Sequence, residues 1–376
     1  MTIRELIKQS KQIINKRLKF DPFSRFYKSP VFKQSLKKIS KEEVRNIQTE
    51  LLAKKIYSHL QVSRNKIVLK VLRGTPARRK EGWFFKLLLL LATVATTSFT
   101  GAFLRGKNPI ESLDELSYGY EYSFALLTIL LFHEFGHYFT ARYYKVRVSL
   151  PYFIPLFLPA FHPGTMGAFI KMRSSIPGKR ALFDIGIAGP LAGFAASLVF
   201  IVVGLQNLPA PATMQTYLAE IYPSGVANAS SLYLGKPFLF NILLEQFQAN
   251  HLPMNVMYHF PFIFAGWFGL FVTALNLIPI GQLDGGHITY AMFGDRAQKL
   301  ALVVFALLVG LNFYLISNYN SYIWVLWSIL IIVFIRFRHP PTMDDKQTLG
   351  KFRILLGWIS YIIFILCFSP LPIYLI

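Results

Sequence analysis

The chain has 376 residues, of which 53% are hydrophobic and only 15% charged, with a mean hydropathy of +0.42. Soluble domains carry roughly 25% charge, so a purely soluble protein is excluded. A disordered chain is excluded too, and with Cys367 the single cysteine there is no disulfide framework or thiolate metal cluster. The formal net charge of +22 is concentrated at one end, because residues 1–80 hold 22 Lys and Arg against 5 Asp and Glu.

In chain order, residues 1–82 form a basic N-terminal extension. No apolar signal-peptide core precedes Phe84, and no nucleic-acid-binding signature is present. Lys41–Ile56 has a helical pattern and Lys66–Leu72 reads as a short strand. The Lys and Arg side chains are expected to hold to anionic lipid head groups, with Arg78, Arg79 and Lys80 as a juxtamembrane anchor.

From Phe84 onward, apolar runs of spanning length alternate with short polar connections. A bilayer core of roughly 30 Å needs about 20 helical residues. Seven stretches qualify: Phe84–Leu104, Tyr122–Ala141, Leu182–Leu205, Phe260–Ile280, Leu300–Ser317, Tyr322–Phe337 and Ile354–Ile373. The expected fold class is an all-α polytopic membrane protein with about seven transmembrane helices. With the basic extension in the cytoplasm, the inner connections hold 14 Lys and Arg and the outer ones 3, as the positive-inside rule requires. The C-terminus then lies outside.

Leu150–Ile170, between the second and third spans, is strongly apolar yet carries Pro151, Pro155, Pro159 and Pro163. Proline at that spacing cannot build a regular helix, and irregular backbone at membrane depth must be buried in protein or line a wet cavity. The stretch is expected to be a re-entrant hairpin or strand region dipping back from the cytoplasmic side.

The second span contains His133-Glu134-Phe135-Gly136-His137. On a helix, positions i and i+4 lie about 40° apart on one face, so both imidazoles can reach one Zn²⁺, with Glu134 beside it as general base for a water. Ionisable residues inside a span are costly and mark function. A catalytic zinc usually takes three protein ligands and keeps one position open. Asp284, near the cytoplasmic end of the fourth span within Asn276–Gly286, is the best third ligand, with Pro279, Gly281, Gly285 and Gly286 loosening the helix there. Asp184, His162 and His287 are the rivals, and His287 is the serious one.

The HEFGH element on one span and the Asn276…Pro279…Leu283-Asp284-Gly285-Gly286 element on another resemble the site-2 protease family of intramembrane zinc metalloproteases. Gly164–Phe169 looks like that family's membrane-associated strand, and the resemblance includes Ala188–Gly193 on the third span. The resemblance covers roughly residues 84–300. It implies His133, His137 and Asp284 as zinc ligands, Glu134 as the catalytic residue, and Asn276 as a group steadying the site or an oxyanion. Neither a PDZ module nor a CBS domain is recognisable.

The domain organisation expected is 1–82 as the cytoplasmic extension, 83–300 as an intramembrane metalloprotease core and 301–376 as C-terminal transmembrane helices. The expected function is zinc-dependent hydrolysis of peptide bonds in or near transmembrane helices of other membrane proteins. An ion or zinc transporter and a catalytically silent scaffold of the same fold are the alternatives. The expected partners are transmembrane substrates and the lipid bilayer, without nucleic acid. A bacterial inner membrane is the first expectation for location, and an organellar membrane the second, since the extension is basic and acid-poor like a transit peptide.

Overall fold

The computed structural model describes residues 82–158, 162–174, 176–221, 232–335, 337, 339, 340, 342, 344, 345 and 347–375, and in the extension 19–20, 31–35, 43, 46, 47, 49–51, 57–63 and 66–72. The chain forms two compact units, Met1–Gly82 and Trp83–Ile376.

The first unit corrects the all-α expectation. Strands β1 (Lys19–Phe20), β2 (Val31–Ser35), β3 (Tyr57–Ser63) and β4 (Lys66–Leu72) form an antiparallel sheet in the order β1-β2-β4-β3. The expected strand is β4, and it is central, pairing Ile67 with both Gln34 and Val62. Its two Val, its Ile and its Leu residues suit a pleated surface, whereas its partners carry weaker signals. Within the expected helix, the described residues are helical, and Ile47 and Leu51, four apart, are buried. Arg78, Arg79 and Lys80 lie outside the described residues.

In the second unit, α1 (Trp83–Leu104) and a 3₁₀ turn at Leu113–Gly119 lead into α2 (Tyr120–Tyr143). Strands β5 (Tyr152–Pro155) and β6 (Thr165–Phe169) follow, then α3 (Lys179–Gln206). Next come α4 (Pro211–Ile221), β7 (Leu232–Leu234), α5 (Phe238–Gln246) and α6 (Pro261–Leu277). The chain ends with α7 (Asp284–Phe293), α8 (Ala297–Tyr319), α9 (Ile323–Leu330), α10 (Lys351–Cys367) and β8 (Ile373–Leu375). Each of the seven expected stretches contains a helix. Among the described residues, Trp83–Leu104, Lys179–Gln206 and Asp284–Tyr319 are long and apolar enough to cross a membrane, and Pro261–Leu277 and Ile323–Val333 are shorter apolar helices. Helix α2 is long but carries Glu121, Glu134 and Arg142.

The protein is a membrane protein in its surface as well as its composition. Leu91 of α1, Leu307 of α8 and Ile365 of α10 are 57%, 69% and 66% exposed, an apolar periphery that water would not tolerate over so many turns. The centre is built by α2, α3 and α6, whose Leu126, Ile129, Ile187, Ile201, Phe264, Trp267 and Leu270 share one core.

The proline-rich stretch is a hairpin. Tyr152 pairs with Phe169 and Ile154 with Gly167, before a bulge brings Pro155 opposite Thr165. Thr96 of α1 donates to the Gly164 carbonyl at 2.7 Å, and the Tyr122 hydroxyl of α2 donates to that of Pro163 at 3.1 Å. Strand β7 pairs antiparallel with β8, and the indoles of Trp267 and Trp324 donate to the carbonyls of Gly235 and Pro370. The C-terminal strand therefore meets the long 206–259 connection.

Candidate metal centre

The buried face of α2 begins apolar, with Ala125, Leu126, Ile129 and Leu130, and continues at helical spacing into His133, Glu134 and His137. These three are only 6–7% exposed. The two imidazoles point to one place, with their Nε2 atoms 3.1 Å apart.

The third group arrives from a broken helix. Helix α6 stops at Leu277, and Ile278 turns extended. Gly281 takes a φ of +55°, a conformation that costs glycine nothing. The chain then restarts as α7, with Asp284 as its first residue. Asp284 thus opens a second helix rather than ending the fourth span. Its Oδ2 lies 3.2 Å from His137 Nε2 and 3.4 Å from His133 Nε2.

Helix α3 sets the imidazole orientations. The His137 Nδ1 lies 2.7 Å from the Ile185 carbonyl. A carbonyl only accepts, so Nδ1 carries the hydrogen and Nε2 keeps its lone pair. Gly189 leaves room for this ring, since a Cβ there would stand 2.1 Å from His137 Nε2. Gly193 does the same less tightly for His133, at 3.1 Å. Asn276, in the last turn of α6, brings its amide nitrogen to 3.4 Å from His133 Nε2. The Glu134 carboxyl meets the backbone amide of Ile170, just past β6.

The donor set fits a zinc ion. Ligands held about 2.0–2.1 Å from a tetrahedral ion stand roughly 3.3 Å from one another, and the three separations here are 3.1, 3.2 and 3.4 Å. Among the described residues, His133, His137 and Asp284 form the cluster able to hold a metal.

The rival residues lie elsewhere. His162 accepts from the Gly164 amide within its own loop. Asp184 receives both ends of the Arg353 guanidinium at 2.7 Å and the Tyr144 hydroxyl, tying α10 to α3 and to the end of α2. His287 turns to His339. Neither of these last two pairings was legible in the sequence, where residues 336–353 read as an inner connection.

Fold and site together describe a helical membrane protein in which two histidines and an aspartate converge on one another, with a buried glutamate beside one of the histidines in sequence. Residues 121–317, just over half of the chain, match Peptidase family M50, and the chain belongs to that family. Among its relatives is the protein named "Probable zinc metalloprotease EGY1, chloroplastic" of Oryza sativa subsp. japonica, 34% identical over 263 residues, or 70% of this chain and 41% of the relative. The protein of the same name from Arabidopsis thaliana is 34% identical over 251 residues, 66% of this chain and 42% of the relative. "Probable zinc metalloprotease EGY2, chloroplastic" of Oryza sativa subsp. indica is 27% identical over 267 residues, 69% of this chain and 44% of the relative. The chain therefore spans about two fifths of the length of these relatives. No solved structure matches it.

Proposed function

We propose that the chain is a zinc-dependent intramembrane endopeptidase, with His133, His137 and Asp284 as metal ligands and Glu134 as the catalytic residue. The observation that carries this reading is the convergence of two Nε2 atoms and one carboxylate oxygen within 3.1–3.4 Å, beside a buried Glu134. The relatives' names, which include zinc metalloprotease, support it.

Zinc held by these three residues supplies the Lewis acidity that amide hydrolysis needs at neutral pH. The chain's own groups do the rest. With its Nδ1–H given to Ile185, His137 can offer only the lone pair of Nε2 to a cation. Glu134 takes a proton from the attacking water on a carboxylate oxygen and delivers it to the leaving amine nitrogen. That transfer accompanies formation of the new C–O bond and cleavage of the C–N bond. The Asn276 amide N–H is available to a carbonyl oxygen gaining negative charge.

The substrate is a transmembrane segment of another protein, drawn out of helical form. Strand β6 pairs with β5 on one side and with no further described strand on the other. An extended segment added to that edge gains backbone hydrogen bonds, and β6 leads directly to Ile170 and Glu134. Met166, 70% exposed on β6, is available to the incoming side chains.

We further propose seven spans, N-terminus on the cytoplasmic or equivalent side and C-terminus opposite. The pairing of β8 with β7 supports this, since it sets the C-terminal strand beside the 206–259 connection, which this topology places on the outer side. The proposed division is 1–82 as extension, 83–300 as protease core and 301–376 as C-terminal helices. The chloroplastic names of the relatives favour an organellar membrane over a bacterial inner membrane.

The test is Glu134→Gln in bilayers with a transmembrane reporter. Cleavage should vanish while about one zinc per chain remains. Retained cleavage would refute the reading, and so would transport or scaffolding that persists as the measurable activity, since neither needs this carboxylate as a base.

A further inference from the structure

Helix α7 has only ten residues, and its first turn lies close to the end of α6, where a Cβ on Gly285 would stand 2.1 Å from the Leu277 oxygen, and to α3, where a Cβ on Gly186 would stand 3.5 Å from the Asp284 oxygen. Its roll about its own axis matters because its first residue is Asp284, and one side chain of that turn also reaches beyond these two helices. His287, three residues on, lies on a neighbouring face of the same turn. Its Cβ packs where a side chain on Gly186 of α3 would stand, 2.9 Å away. Its Nδ1 lies 2.6 Å from Nε2 of His339, in the connection between α9 and α10.

The proton positions follow from one carbonyl. His339 Nδ1 lies 2.6 Å from the Pro340 oxygen, which only accepts, so Nδ1 carries the hydrogen and Nε2 the lone pair. His287 Nδ1–H is then the donor to His339. Burial, and after it the neighbouring His287, pushes the His339 imidazole down to about 3, which keeps it neutral and Nε2 an acceptor. The His339 ring also stacks on Tyr290 at 4.5 Å and 20°. The Tyr290 hydroxyl donates to Asp345 at 3.0 Å, and Asp345 in turn accepts from the Thr342 amide and hydroxyl. Next to Tyr290, Thr289 and the Tyr361 hydroxyl are 2.8 Å apart. Every partner from the last connection and α10 lies beyond residue 317, outside the stretch that matches the family.

We infer that His339 is a positioning residue which, through His287, fixes the first turn of α7 and hence the direction of the Asp284 carboxylate at the metal centre. The inference rests on the proposed ligand set. It makes part of the 301–376 segment a component of the protease site rather than an appended pair of helices.

The test uses the full chain in detergent or bilayers with cobalt in place of zinc, and reads the cobalt d–d spectrum, zinc affinity by competition and the thermal midpoint. His339→Ala should keep the fold, shift the spectrum and weaken zinc by about 10–100-fold, the usual effect of removing a partner that orients a ligand. His339→Gln, whose amide oxygen can accept from His287 and whose amide N–H can donate to Pro340, should return within about threefold of the parent affinity. A His339→Ala chain with parental spectrum and affinity, while Asp284→Asn loses both, overturns the inference and leaves the protease reading standing. A folded His339→Gln chain as impaired as His339→Ala overturns it as well. If Asp284→Asn itself keeps the parental spectrum and affinity, the ligand set falls and the inference with it.

Discussion

A methyl group added at Gly189 is the sharpest perturbation of the metal centre that leaves its ligands in place. A Cβ there would lie 2.1 Å from His137 Nε2, 2.4 Å from Cε1 and 2.5 Å from Cδ2. Nonbonded carbon contacts relax only at about 3.5 Å, so one partner must move by more than roughly 1 Å. A retreat of helix α3 would give up its close packing on α2, where a Cβ on Gly136 would stand 2.4 Å from the Ala188 oxygen. The imidazole must leave, and it breaks its 2.7 Å bond to Ile185 in doing so. Metal–ligand distances tolerate about ±0.2 Å, so the site drops to one histidine and one aspartate. Gly189→Ala should therefore weaken zinc binding by about 10²-fold or more and cut cleavage at fixed zinc at least as much, since a 1 Å misplacement alone costs about 10²-fold. The fold should lose only about 1–3 kcal/mol, the usual cost of overpacking. Gly193→Ala, at 3.1 Å from His133 Cβ and Nδ1, requires a shift of a few tenths of an ångström and should be clearly milder. Gly310, with nothing within 4 Å, is the control, and alanine there should leave zinc binding unchanged. Zinc content against a graded chelator, read beside cleavage of a reporter, decides the matter. Parental affinity in Gly189→Ala, or a larger loss in Gly193→Ala, would refute the packing argument.

Two further outcomes follow from groups away from the metal. Arg353→Met leaves the Asp184 carboxylate without its guanidinium and should lower the thermal midpoint by the equivalent of about 1–2 kcal/mol, a discounted figure for a pair 24–29% exposed; Asp184→Asn added to it should recover part of the loss, and full additivity of the two losses would contradict a direct pairing. His259, buried before α6, is pushed down to about 4 by burial first and the charge of Arg105 second, whereas in the unfolded chain it titrates near 6.5. The unfolded chain therefore binds the extra proton between these values, so this contribution to stability is complete above about pH 6.5 and falls by about 2–3 kcal/mol by pH 4. Thermal midpoints across that range should fall less in His259→Gln than in the parent, and equal slopes would exclude His259 as the group responsible.

The site was legible in the sequence wherever its signal was local. His133 and His137 stand one helical turn apart in an apolar run, where ionisable groups demand a reason, and the prolines of Leu150–Ile170 forbid a helix and leave a hairpin. Asp284 was legible as a ligand, but the restart of the chain as α7 was not, because Pro279 and Gly281 signal a loosened helix without saying where the next one begins. The pairs His287–His339 and Asp184–Arg353 join residues 52 and 169 positions apart and leave no local pattern. The same holds for β1, β2 and β3, whose short strands become readable only once β4 lies between β2 and β3.

Lipid offers helices no hydrophobic reward for associating, so close approach of small residues and interhelical hydrogen bonds must hold the bundle. Helices α2 and α3 meet in this way at Gly136 and Gly189, and the contact that packs them also delivers the Ile185 carbonyl to His137. Packing and tautomer therefore come from one feature. A larger residue at that crossing would separate the helices, free the Nδ1 proton to change sides and fill the space reserved for a ring. The third ligand also sits at close contacts, since Gly285 lies against the Leu277 carbonyl and Gly186 of α3 against the first turn of α7, but a side chain of that turn reaches the last connection as well. Part of its orientation is thus supplied from outside α2, α3 and α6, through the His287–His339 contact. Damage to the two histidines should thus come from enlarging residues on α3, and damage to the aspartate from trimming residues on the last connection.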